Sequence, residues 1–162
     1  MNIDNLRWLY QINDNVLNVN LEEVTSDETN IRPASGGNCI AWTLGHLLRS
    51  RQFLLKYLGV DWSIGEKAEL AYKRGSSGDD DDGTFLSYER KLALWEESQD
   101  MLMTAFDSLT EARLLEEAPA LGDFARPDTL ERRILFLYFH ETYHVGQLGL
   151  MRRLVGKEGA IK

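Results

Sequence analysis

The chain has three histidines, and two of them, His140 and His144, stand four residues apart in LERRILFLYFHETYHVGQLGLMRRL. Residues at that spacing lie one above the other on a helix. Two imidazoles so placed can reach a common metal at about 2.0–2.1 Å, held by a preformed helix at little entropic cost. The third, His46, lies in NCIAWTLGHLLRS on a stripe with Trp42, Arg49 and Phe53. Gly45 beside it carries no side chain and lets another element or a ligand come close. A lone histidine on a helix is usually a hydrogen-bonded core or surface residue, so the joint placement of all three carries the argument. If the two segments are neighbouring helices, His46, His140 and His144 form one site for a divalent metal. Three protein ligands leave an open position, which belongs to a reactive centre rather than a closed structural one. Three imidazoles suit zinc, nickel, copper and iron alike.

HETYH also matches the His-Glu-x-x-His pattern of zinc proteases, in which the glutamate is the general base and a third ligand usually follows downstream. No histidine follows His144, and Glu158, the carboxylate nearest the C-terminus, lies beyond the expected helix end. No sheet edge is expected on which a peptide would lie. Glu141 is rotated by about 100° from His140, towards solvent or a supporting partner, so the pattern is not read as a protease.

Four helical segments must position these residues. The first runs from about Asp4 to Asn20, with Leu6, Leu9, Tyr10, Asn13, Val16 and Leu17 on one face. The second follows SGGN, with Asn38 as N-cap, and runs to Leu58, where Gly59 stops it; its core stripe is Ala41, Leu44, Leu48, Leu55 and Leu58. The third runs from near Thr84 to about Leu109, its stripe built from Phe85, Tyr88, Leu92, Trp95, Leu102, Met103 and Phe106. The fourth starts at Asp128 or Thr129 and reaches Leu154, with Gly156 beyond it. The histidine face of that helix, with Arg133, Phe136, Leu137, Gln147 and Met151, reads as largely inward, and no exposed apolar stripe stands out. Asn13 and Gln99 interrupt apolar stripes, either as satisfied core groups or as pocket walls. Almost no sheet is expected.

Helices of that length bury their stripes only side by side, so the fold class is all-α, a four-helix bundle forming one domain over residues 1–162. The segment GVDWSIGEKAELAYKRGSSGDDDDG is long enough to run the length of the bundle, which permits an up-down-down-up order with long crossover loops. The aspartate run at 79–82 lacks the spacing of a calcium loop and reads as a solvated acidic loop.

Lys plus Arg number 18 against 26 for Asp plus Glu, a formal charge of −8 that repels phosphate backbones and anionic lipid. Nucleic acid and membranes are therefore not expected partners. One cysteine, Cys39, excludes an internal disulfide; it reads as a small buried residue. The N-terminal MNIDNLRWLY has no signal-peptide pattern, and a cytoplasmic location is expected.

AWTLGHLLRSRQFLL and HETYHVGQLGLMRRLVG together resemble the DinB-like or YfiT-like metalloenzyme superfamily: one histidine in the second helix, then His-x3-His followed by Val-Gly-Gln-Leu and an Arg-Arg pair in the fourth. The resemblance in helix layout covers nearly the whole chain, and the specific motifs are these two. It implies an up-down-down-up bundle, often a homodimer, with zinc or nickel held by His46, His140 and His144. It also implies activity of the kinds assigned in that superfamily: transferases using a low-molecular-weight thiol, thiol-dependent isomerases, and hydrolases. A thiol-dependent S-transferase is the preferred expectation, because three neutral ligands leave the metal its full charge for deprotonating a thiol. A small-molecule thiol and an electrophilic substrate are then the partners, with Trp42, Arg49, Tyr143 and Gln147 as candidate substrate-binding residues. Arg49, one turn beyond His46, can hold a carboxylate on the thiol or substrate. The alternatives are a metal-dependent hydrolase and a non-catalytic metal-binding or interaction bundle.

Overall fold

The computed structural model describes residues 2–76, 86–120 and 126–161, so the aspartate run at 79–82, Phe85 and the expected helix start near Thr84 lie outside the described residues. In chain order the elements are α1 (Ile3–Leu21), α2 (Ser26–Thr29), α3 (Ile40–Tyr57), α4 (Glu66–Ala71), α5 (Tyr88–Ser108), α6 (Glu111–Leu114), β1 (Glu117–Ala118), β2 (Asp128–Thr129) and α7 (Leu130–Leu154). The fold is all-α apart from the β1–β2 pair, an antiparallel clip in which Glu117 faces Thr129 and Ala118 faces Asp128. The long helices α1, α3, α5 and α7 are the four that the periodicity predicts. α1 packs on α7 and α5, and α3 packs on α5 and α7, so the four close into a ring.

Local chemistry sets the helix starts. Asn2 caps α1 by accepting from the Asp4 amide at 2.7 Å, and Thr25 and Glu28 form a capping box on α2. Ser87 accepts from the Arg90 amide at 3.2 Å at the head of α5, and Thr129 accepts from the Arg132 amide at 3.4 Å at the head of α7. Each such cap contributes on the order of 1 kcal/mol. α3 departs from expectation: its N-cap is Cys39, not Asn38, and no side chain caps it. The reason is burial. Cys39 is 2% exposed and packs in the core, where the first turn is tied instead by the Thr43 hydroxyl donating to the Cys39 carbonyl at 2.9 Å.

α3 is the central helix, buried almost continuously from Ile40 to Leu55. This explains why its polar residues His46, Arg49, Ser50 and Arg51 are all buried. α4 packs on α3 and delivers Tyr72, fully buried, against it. An added Cβ at Gly45 would stand 2.5 Å from the Tyr72 ring, so the missing side chain admits this ring and not a ligand.

The inward face of α7 differs from the one the sequence suggests. Its buried line runs through Ile134, Leu137, Glu141, Val145 and Leu148, with a carboxylate where a core residue is expected. His140 and His144 lie on the flank of that line, half-buried, and Phe136 is exposed at 50%. Phe139, Tyr143, Leu150 and Leu154 are exposed as well, so an apolar outer stripe exists that the sequence does not reveal. With apolar residues on both sides of the helix, periodicity cannot tell inside from outside. Among the described residues, no helix is long and apolar enough to cross a membrane.

Candidate metal centre

His46 comes from the middle of α3, His140 and His144 from the middle of α7, and the direct packing of these two helices brings the three imidazoles together. The Nε2 atom of His140 is 3.1 Å from Nε2 of His46 and 3.2 Å from Nε2 of His144. One ligand atom from each ring lies within 4.8 Å of the other two. Such separations suit donors surrounding a single ion, each about 2 Å from it.

The outer nitrogens explain why the inner ones are available. His46 Nδ1 donates to the Tyr72 carbonyl at 2.7 Å, and a carbonyl can only accept. His144 Nδ1 donates to Gln147 Oε1 at 2.7 Å. Ser50 gives its hydroxyl proton to the His46 carbonyl at 3.0 Å, which leaves its oxygen to accept from His140 Nδ1 at 3.4 Å. Each ring therefore holds its proton on Nδ1 and turns an Nε2 lone pair towards the same point. Three lone pairs cannot satisfy one another, whereas a cation satisfies all three. Supporting hydrogen bonds of this kind fix tautomer and ring orientation at metal sites. The residues present thus fit a divalent metal ion.

The electrostatics agree. Burial, then the neighbouring His144 and His46, push His140 down to about 4 from an ordinary 6.5, and burial also lowers His144. Both rings are neutral near pH 7, the form that a metal requires. Trp42 is buried and lies flat on His46, with ring centroids 4.8 Å apart and an interplanar angle of 11°, while its indole NH donates to Ser76 Oγ at 2.9 Å.

Glu141, next in sequence to His140, points away from the cluster. It is 3% exposed and receives both Nε and Nη2 of the buried Arg51, the latter at 2.9 Å. Arg51 Nη1 donates to Gln99 Oε1 at 2.8 Å, and Asn13 Nδ2 donates to Glu141 Oε1 at 3.2 Å. The Arg51 guanidinium lies 4.3 Å from the Trp95 ring centroid. Asn13 and Gln99 are thus satisfied core groups serving this ion pair. Glu141 is fully engaged and is not placed to act as a base at the histidines.

A cavity of about 180 Å³ opens beside His46 and His140, with Phe53, Phe136 and Leu137 as apolar wall and Arg49 and Arg74 at its border. A larger hollow between α1 and α5, about 930 Å³, includes Asp14, Glu22, Glu96 and Asp100 and reaches none of the histidines. Of the residues expected around a substrate, Arg49 lines the smaller cavity, Gln147 supports His144, and Trp42 supports His46. Tyr143 is exposed at 58% and meets His144 edge-on, with centroids 5.4 Å apart. Tyr72, Ser50 and Arg74 join the site without having stood out in the sequence. Only the Ala68–Tyr72 spacing, one turn apart and apolar, hints that Tyr72 faces inward.

No curated protein matches the chain. The family description DinB superfamily matches residues 9–148, a span that contains all three histidines and all four long helices in whole or in large part. With most of its length matched and the histidines gathered as described, the chain belongs to the DinB superfamily.

Proposed function

We propose that this protein is a metal-dependent enzyme that holds one zinc or nickel ion through His46, His140 and His144 and transfers a low-molecular-weight thiol to an electrophilic small molecule. The observation that carries the reading is the convergence of three Nε2 lone pairs whose partner nitrogens are committed to Tyr72, Gln147 and Ser50. When bound, an ion in a neutral ligand set acidifies a thiol at neutral pH. The chain's own residues orient the reactants: Ser50 and Arg49 face the cavity, and its apolar wall receives the body of the electrophile. In the transfer the thiol proton passes to solvent, sulfur bonds to the electrophilic carbon, and the leaving group departs with its bonding pair.

Hydrolysis needs a general base near the cluster, and the engagement of Glu141 with Arg51 removes the one carboxylate the sequence offers. A purely structural metal needs no cavity beside it, so the space next to His46 and His140 favours an enzyme. The exposed Phe136, Phe139, Tyr143 and Leu150 on one side of α7 support pairing with a second copy of the chain, since a helix stripe can bury itself against its own symmetry mate. Light scattering should then give a dimer, and Phe139→Glu a monomer.

Elemental analysis of untagged protein, purified without chelators, tests the metal. About one zinc or nickel per chain is expected, lost in His46→Ala. Turnover with a panel of thiols and a generic electrophile, abolished in the same variant, tests the reaction. Metal-loaded protein inert with every thiol would reject the transferase reading.

A further inference from the structure

The cavity beside the histidines has a charge that the chain as a whole does not. Two guanidiniums, Arg49 and Arg74, border it, and among the described residues none of its lining side chains is a carboxylate, in a protein of formal charge −8. Arg49 is only 7% exposed, so its field acts across protein and is screened far less than that of a surface cation. Its guanidinium carbon sits 4.7 Å from the Phe53 ring centroid, which restrains the plane of the fork. Phe53, Phe136 and Leu137 make an apolar wall, and His46 and His140 border the same space. About 180 Å³ is enough for one six-membered ring, since an apolar cavity of about 150 Å³ holds benzene.

We propose that this cavity binds a small carboxylic acid with an apolar body, its carboxylate held by Arg49 and Arg74 and its body lying on Phe53, Phe136 and Leu137 beside the histidine cluster. The inference deepens the proposed function and rests on it for one point, that the bound acid is the electrophilic substrate. A planar guanidinium matches a carboxylate with two parallel hydrogen bonds, and a neutral isostere forfeits that match. A ring carrying its carboxylate would thus enter with one orientation, which fixes the end presented to His46 and His140.

Calorimetric titration with benzoate and benzamide, on zinc-loaded and on metal-free protein, tests this. Benzoate is expected to bind at least about tenfold more tightly than benzamide in both forms, the difference that one charge-assisted pair supplies. Arg49→Met should remove most of that preference and Arg74→Ala part of it, while Arg49→Lys retains some. Circular dichroism reports whether Arg49→Met folds; if it does not, Arg49→Lys and the exposed Arg74→Ala decide the question. Equal binding of benzamide, or a preference unmoved by the arginine variants, overturns the proposal. A preference seen only with zinc and blind to the arginines also overturns it, placing the carboxylate on the ion and leaving the metal reading intact. Conversely, an arginine-dependent preference in protein that binds no zinc or nickel sustains the carboxylate site and defeats the metal reading.

Discussion

His140 and Glu141 are adjacent in sequence and point to two polar clusters of opposite kind. Both clusters join α3 to α7. The Glu141 cluster is closed: Arg51 and Asn13 donate to the carboxylate, Gln99 accepts from Arg51, and the group lies deep in the ring of helices. The histidine cluster is open: each ring is held from outside at Nδ1, while the three Nε2 atoms converge on one point. A structural polar cluster completes its own hydrogen bonds, whereas a binding site completes them only with its ligand. Burial alone does not separate the two. The direction of the lone pairs does.

The largest expected effect belongs to the closed cluster. Glu141→Ala leaves the Arg51 guanidinium buried without its counter-charge and should destabilise the fold by about 3–5 kcal/mol in urea unfolding. Arg51→Met combined with Glu141→Leu should recover much of that loss, because it removes both charges together. A loss of metal from this double variant, with stability restored, would mean that the closed cluster also sets the register of the ligands, and the contrast would blur.

Intermediate effects belong to the supports of the open cluster. Gln147→Leu removes the acceptor on His144 Nδ1, and Gly45→Ala puts a Cβ into the space of the Tyr72 ring. Each should weaken zinc by about 10–100-fold with little change in the fold of Gln147→Leu. Competition against a chromogenic chelator measures it. If Gln147→Leu leaves affinity unchanged, the support from Nδ1 is not what prepares the site.

The last effect is the dependence of metal-free stability on pH. His140 is held at about 4 and His144 is lowered, while both have ordinary values near 6.5 in the unfolded chain. Below 6.5 the unfolded state therefore binds more protons, so their contribution is present above 6.5 and is lost as pH falls towards about 4. Melting temperatures should decline across that window, and His140→Gln should decline less steeply.

The parts legible in the sequence were those decided within one helix. The spacing of His140 and His144, the leucines of α3 and the stops at Gly59 and Gly156 all follow from local periodicity and conformation. What stayed hidden depends on contacts between distant segments. Glu141 gives no sign of being a core residue until Arg51 is placed opposite it, and Asn13 and Gln99 gain their meaning only from that pair. Asn38 has the better capping chemistry, yet burial of Cys39 sets the start of α3. On α7, apolar side chains facing both the core and the outside hid an exposed stripe, because a period marks a face only when the opposite face is polar.

The acceptor on His46 Nδ1 is a backbone oxygen, that of Tyr72. No single amino-acid exchange at position 72 deletes it, so the tautomer of His46 is protected from substitution there. Tyr72→Phe keeps the carbonyl, and a mutational scan would pass over its role in silence. Only a change in the path of the chain can move it, through an insertion or deletion after α4 or a bulkier residue at 45. In this part of the site, the path of the chain after α4 and the missing side chain at 45 hold the tautomer, and the side-chain chemistry at 72 does not.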